Sequence, residues 1–169
     1  MEKLNNCNYE YNFKKHFLKE FKKAPGLKSK IAIFIFRLAN GYEKSSLLKP
    51  VLFIFIVANK VINEFIFSIE IPHSTKIGPG FVMNHPHGIV INKASVIGEN
   101  VKVRQFTTIG NNGKNKKSPI ICDNVELGAN VNLIGNIILG AGSKVGAGTT
   151  VTKTLSANSI AIGCGFRVL

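Results

Sequence analysis

From residue 71 onward an apolar side chain returns at every sixth position. Ile91, Ile97, Val103, Ile109, Ile121, Leu127, Leu133, Leu139, Val145 and Val151 lie on one grid, broken only at position 115. Upstream, Ile71, Ile77 and Met83 keep the spacing on a grid displaced by two residues, so an irregularity falls between 83 and 91. A six-residue period matches neither the 3.6 residues of a helical turn nor the alternation of a plain strand. It is the mark of a β-solenoid, in which three short strands make one triangular coil of about 18 residues. Each hexad sends its apolar residue inward, and small residues turn the corners where bulk or strained dihedrals cost most. The predicted class is mainly β: a parallel β-helix of hexapeptide repeats.

The end of such a stack is an open sheet edge over a bare apolar core and needs a cover. Before residue 68 the chain is rich in Lys, Phe, Leu and Ile, punctuated by Pro25-Gly26 and by Gly41 to Ser46. That pattern predicts an α-helical cap of three helices near 9–23, 28–40 and 47–66. The expected organisation is an N-terminal helical region at 1–68, a β-helix domain at 69–163 and a short tail at 164–169.

With 169 residues and 45% hydrophobic composition the chain can bury one core. Its formal charge is +13, with twelve basic against four acidic residues up to residue 60 and ten against five beyond it. The surplus favours anionic partners: phosphorylated cofactors, acidic lipid headgroups or nucleic acid. Nucleic acid is disfavoured, because no aromatics interleave with the basic residues and no reading module is recognisable. Cys7, Cys122 and Cys164 are far apart and odd in number, which fits reduced thiols in a cytoplasm. No apolar stretch follows the basic start, so no secretory signal is predicted. The apolar runs at 31–36 and 50–59 are short of the roughly 20 residues a membrane span requires.

The run "IEIPHSTKIGPGFVMNHPHGIVINKASVIGENVKVRQFTTIGNNGK", followed by "VELGANVNLIGNIILGAGSKVGAGTTVTK", resembles the hexapeptide-repeat acyltransferases of the serine acetyltransferase type. It is similar above all to their short relatives in polysaccharide gene clusters, the colanic-acid acetyltransferase among them. The likeness covers about residues 65 to 167, and "FRLAN" at 36–40 is similar to a helical signature of that family. The resemblance implies a left-handed β-helix, transfer of acetyl from acetyl-CoA to a hydroxyl, and a homotrimer with its site between subunits. A single prism should also leave flat apolar faces such as "VNLIGNIIL" partly uncovered, which favours the same assembly.

Two histidines sit at the break in the grid. The resemblance places the catalytic base three residues before Gly88, at His85, where a neutral imidazole can take the proton of an attacking hydroxyl. An irregular coil can aim a polar group into a cleft, whereas a regular one sends side chains only inward or outward. His87 is expected to face substrate. Fifteen residues before the base the family carries an aspartate that steadies the imidazolium, and that position here is Glu70. For the cofactor, the resemblance implies Gly110, Asn111 and Ala129 along the pantetheine and Lys144, Lys153 and Arg167 toward the nucleotide phosphates.

The acceptor is where this chain departs from the family. Serine acetyltransferases hold the amino acid's carboxylate with an Arg-His-Pro, and the matching residues are Lys117, Ser118 and Pro119. Ammonium for a guanidinium fork and hydroxyl for imidazole weaken carboxylate recognition. A sugar hydroxyl of a bacterial surface polysaccharide or its precursor is therefore the expected acceptor, with serine O-acetylation as the alternative and sugar N-acetylation behind it. A non-catalytic trimeric solenoid has no use for a histidine at a broken coil. A carbonic-anhydrase-like solenoid needs three histidines on zinc, and His73, His85 and His87 are spaced unlike that family's, so no metal is expected. The basic, Phe- and Ile-rich N-terminal helices suit capping of the first coil, and also peripheral contact with the inner face of a membrane.

Overall fold

The computed structural model describes residues 11–43, 47–114 and 116–163. Among these, fourteen strands of two or three residues form three parallel sheets. Sheet A stacks β1 (Ile69–Glu70), β4 (Ile89–Ile91), β7 (Thr108–Gly110), β10 (Asn132–Ile134) and β13 (Thr150–Val151). Sheet B stacks β2 (Lys76–Ile77), β5 (Val96–Ile97), β8 (Ile120–Ile121) and β11 (Ile138–Leu139). Sheet C stacks β3 (Val82–Asn84), β6 (Lys102–Arg104), β9 (Glu126–Leu127), β12 (Lys144–Val145) and β14 (Ile160–Ala161). The chain passes through A, B and C in turn, so each coil rests on the one before it.

The grid residues are the inner wall. Ile91, Ile109, Leu133 and Val151 are successive partners through sheet A, and Ile77, Ile97, Ile121 and Leu139 through sheet B. All are buried, each contributing about 1.5–3 kcal/mol through removal from water. Of the stretch 131–139, Val131, Leu133, Ile137 and Leu139 turn into this core, while Ile134 and Ile138 stay half-buried on the outer side. Where sheet B passes to sheet C, successive coils turn on Gly80, Asn100, Asn124, Gly142 and Asn158, all with φ between 55° and 78°. Asparagine tolerates that left-handed conformation better than other side-chain-bearing residues.

Register locates both breaks in the repeat. Asn84 pairs with Arg104, twenty residues on, whereas Ile91 pairs with Ile109, eighteen on. The corner between β3 and β4 therefore carries two residues more than the corner above it, which is the displacement seen in the grid. Further on, Ile97 pairs with Ile121 and Ile109 with Leu133, each twenty-four on. Six extra residues thus lie between β7 and β8, which is why the grid resumes in phase after missing one step.

The helices are α1 (Phe13–Lys23), α2 (Gly26–Gly41) and α3 (Lys49–Ala58), the last continuing as a π-helical segment, Asn59–Ile66. Their main task is chemical. The first coil has no coil beneath it, so its downward carbonyls lack strand partners. Side chains replace them. Arg37 Nη1 donates to Ile77 O (2.8 Å) and Nη2 to Gly78 O (2.7 Å). Asn40 Nδ2 donates to His73 O (2.6 Å), Asn59 Nδ2 to Ile71 O (3.0 Å) and Ser29 Oγ to Met83 O (2.7 Å). The π-helical segment sets Asn63 beside Asn59, where its Nδ2 reaches Asn59 Oδ1 (2.8 Å) and Ala32 O (3.1 Å).

Arg37 also grips Glu20, with Nε on Oε2 (2.8 Å) and Nη2 on Oε1 (2.6 Å), both side chains fully buried. Glu20 Oε1 accepts the Phe81 amide (2.9 Å), its Oε2 accepts the Tyr11 hydroxyl (2.9 Å), and the Tyr11 ring lies 3.9 Å from the guanidinium. Burial, with the nearby Glu20 charge, pushes the Tyr11 phenol well above its ordinary value despite the opposing pull of Arg37. The knot ties α1, α2 and the first coil together.

The two apolar runs part ways. In the 31–36 run Ala32, Ile33, Ile35 and Phe36 are buried, whereas in α3 Leu52 is buried and Val51, Phe53, Ile54 and Val57 are exposed, as are Phe65 and Ile66 beyond it. We expect Arg37→Ala to lose about 3–5 kcal/mol in denaturant unfolding, since it strands a buried carboxylate. Lys102→Ala, which breaks an exposed pair with Glu126, should cost about 1 kcal/mol or less. Equal losses for the two variants would contradict the assignment of Arg37 as the anchor of the cap.

Candidate active site

The two-residue excess is spent at His85–Gly88, where sheet C passes to sheet A. His85 follows β3 directly and takes a left-handed φ of 51°, and Gly88 takes another at 61°. A side chain at Gly88 would put its Cβ 2.5 Å from Phe106 Cδ1, so glycine is required by space and by dihedral. Between them Pro86 is buried and the two histidines are exposed. Phe106 N donates to His87 O (2.8 Å), and the two rings meet edge to face, 5.5 Å between centroids. The corner is thereby pinned to the coil above it. His85 and His87 line a cleft of about 460 Å³ with Pro25 and with Gly26, Leu27 and Lys28 of the first turn of α2. Neither imidazole makes a hydrogen bond or ion pair among the described residues, so each is open to a ligand.

Glu70 lies on the neighbouring sheet. It is exposed on the outer face of sheet A, paired in register with Val90, and no hydrogen bond or ion pair joins it to His85. Its cleft, of about 370 Å³, is shared with Asn92, Lys93, Thr108, Gly110 and Asn111. The reason is topological. Glu70 is level with Val90, twenty residues on, and fifteen residues carry the chain only as far as His85 on the corner before β4.

The remaining expected site residues fall on two edges of the prism. On the edge from A to B, Asn111 caps its own turn by accepting from Gly113 N (3.0 Å), and Gly110 O accepts Gly135 N (2.9 Å). A Cβ at Gly110 would meet nothing within 4 Å, so the backbone there is open. Lys153, exposed, follows β13 on the same side. On the edge from C to A, Ala129 O accepts Gly148 N (2.8 Å) two coils above His87. Lys144 lies outward on β12. Lys117 is exposed between β7 and β8, next to buried Ser118. Arg167 lies outside the described residues. Among the described residues no three His, Cys, Asp or Glu side chains gather to hold a metal ion.

Sequence reasoning overlooked the outer face of sheet C. Lys102, Glu126 and Lys144 are successive partners across β6, β9 and β12, and Arg104 lies on β6 beside Asn84. The alternation Lys102-Val103-Arg104 was the available signal, since period two within a strand sets both cations on one face. Lys102 Nζ bonds Glu126 Oε1 at 2.9 Å.

Comparison with known proteins follows the same lines. The family described as bacterial transferase hexapeptide (six repeats) matches residues 118–153. WcaB of Escherichia coli strain K12, whose name assigns it provisionally to colanic acid biosynthesis as an acetyltransferase, is 40% identical over 114 residues, covering 67% of this chain and 70% of WcaB. The chain belongs to the hexapeptide-repeat acetyltransferases. The serine acetyltransferase of Bacillus pumilus is 33% identical over 140 residues, 82% of this chain and 62% of that one. Among solved structures, soybean serine acetyltransferase complexed with serine superposes with a TM-score of 0.70 at 29% identity, covering 85% of this chain. This hexapeptide-repeat acetyltransferase spans 58% of the soybean protein and 51% of the Entamoeba histolytica isoform 3 enzyme. It is an acyltransferase by that membership.

The hydrogen bond from Lys102, then the charges of Lys102, Lys144 and Arg104, outweigh the desolvation of Glu126 and hold its carboxyl below the ordinary glutamate value. A depressed value means that the pair's contribution is present above the unfolded pKa and lost as pH falls through the folded one. Carbon-detected titration should therefore find the Glu126 midpoint below that of a free glutamate, rising in Lys102→Ala. An unchanged midpoint in that variant would remove Lys102 as the cause.

Proposed function

We propose that this acetyltransferase carries acetyl from acetyl-CoA to a sugar hydroxyl of a bacterial surface polysaccharide or its precursor, with His85 as general base. The observation that carries the reading is His85 itself, on the one corner lengthened by two residues, with its imidazole unbonded and facing a cleft. Acetyl-CoA, when bound, supplies the thioester carbonyl. His85 takes the acceptor hydroxyl proton as that oxygen attacks the carbonyl, then returns it to the departing sulfur. Glu70, exposed on the neighbouring sheet A, is the carboxylate we assign to steady the imidazolium. His87, held by Phe106, orients the acceptor.

For the cofactor, Gly110 and Asn111 give an open backbone edge, Ala129 a small side chain, and Lys144 and Lys153 exposed cations. The chemistry fits a phosphorylated, elongated ligand, but the residues occupy two edges of one prism. A homotrimer joins them, because a head-to-tail ring sets the C-to-A edge of one chain against the A-to-B edge of the next. The sugar reading draws support from Ser118, whose buried side chain offers no open hydroxyl where serine acetyltransferases carry an imidazole. We place the enzyme in the cytoplasm. Among the described residues no helix is long and apolar enough to cross a membrane, and the exposed apolar side chains of α3, flanked by Lys49 and Lys60, suit peripheral contact with an anionic surface.

Release of thiol from acetyl-CoA, followed with surface-polysaccharide fragments and with free serine, tests the reading. Turnover on a glycan fragment is expected, with His85→Ala reduced by about 10²-fold or more and Glu70→Gln by less. Saturable turnover on serine with a KM of about 1 mM or below would reverse the choice of acceptor, and wild-type rates in His85→Ala would overturn the base.

A further inference from the structure

We propose that the acceptor carries an anionic group, a carboxylate or phosphate, and that Arg104 on the outer face of sheet C receives it. The inference rests on the reading of His85 as the base and adds the acceptor's charge class. A cleft of about 540 Å³ lies on this face, lined among others by Lys23, Asn84, Asn100, Lys102, Arg104 and Glu126. Asn84 is the residue before His85 and the register partner of Arg104, so the cleft opens beside the catalytic corner.

The charges there are unbalanced. Glu126 is the one carboxylate lining the cleft, and Lys102 engages it at 2.9 Å. Lys23 Nζ is held by Asn100 Oδ1 at 3.1 Å, and Lys144 is the register partner of Glu126 on the coil above. Arg104 lies exposed in the cleft, and its guanidinium has no hydrogen bond or ion pair among the described residues. It presents a planar fork, suited to bidentate capture of carboxylate or phosphate oxygens. A uronate residue, a sugar phosphate or a glycan linked through pyrophosphate would meet Arg104 with its anion while a ring hydroxyl reaches His85. A neutral hexose has nothing for that fork to hold.

The test compares matched acceptors: a methyl hexoside, the corresponding methyl hexuronide and the hexose 1-phosphate, each with wild type, Arg104→Ala and Arg104→Lys. The wild type should favour one of the anionic acceptors in kcat/KM by about tenfold or more. Arg104→Ala should erase that preference through the acceptor's KM, and Arg104→Lys should restore part of it. A KM rise confined to acetyl-CoA would assign the anion to the cofactor instead, and equal use of neutral and charged acceptors would also overturn the proposal. Inorganic pyrophosphate, titrated by NMR without turnover, separates this inference from the one beneath it. Binding lost in Arg104→Ala, in a protein that acetylates no sugar, would keep the anion site and reject the sugar reading. Turnover on neutral sugars with no pyrophosphate binding would do the opposite.

Discussion

The buried Arg37–Glu20 pair, with its two bonds to the carbonyls of Ile77 and Gly78, is the contact on which the rest of this structure depends. A stack of parallel coils satisfies its own backbone everywhere except at its ends. At the lower end of this stack a guanidinium, two asparagine amides and a serine hydroxyl stand in for the missing coil. One arginine serves four acceptors there, because its five donors lie in a fixed plane that matches both a carboxylate and adjacent carbonyls. The ion pair adds specificity as well as attachment. Glu20 accepts from Phe81, so α1 is tied to the segment that leads directly into β3 and His85.

The inner wall was legible because an apolar period reports which residues point inward. The grid from Ile91 to Val151 became three stacked columns, and its two-residue displacement reappears as the change in register from twenty to eighteen. The same signal is silent about outward side chains and about corners. It could not show that Glu70 lies on the outer face of sheet A while His85 stands on the corner from sheet C to sheet A, since the period marks inward positions only. Within 131–139, where apolar residues are adjacent, the pleat sorts them: four turn inward and Ile134 and Ile138 remain half-buried outside. The cap was legible as helices, with "FRLAN" as its one named motif. The partnership of Arg37 with Glu20, seventeen residues away, leaves no periodic trace.

Placement on the prism also explains why the candidate residues do not form one pocket. Backbone openness at Gly110 and the small Ala129 lie on different edges, with sheet A between them. On the proposed reading, a rod with candidate residues on two edges needs a second rod facing it to complete one site. On the same reading the solenoid supplies straightness, so that edges of neighbouring chains can run side by side, and the corner lengthened by two residues supplies the departure from straightness that the proposed base needs. The cations outside sheet C then add charge to a scaffold whose inner wall is built mainly of Ile, Val and Leu.

The central claim is that the lengthened corner, rather than the regular coil, makes the chemistry. Deleting Pro86 and His87 removes the two extra residues while keeping His85 and Gly88, and replacing the same pair by Ala-Ala keeps the length. With acetyl transfer measured on whichever acceptor the wild type uses, the deletion should unfold cooperatively but fall by about 10²-fold or more, as for loss of the base, while the Ala-Ala variant stays within about tenfold of wild type. A folded deletion variant that transfers acetyl at the rate of the Ala-Ala protein would contradict the account.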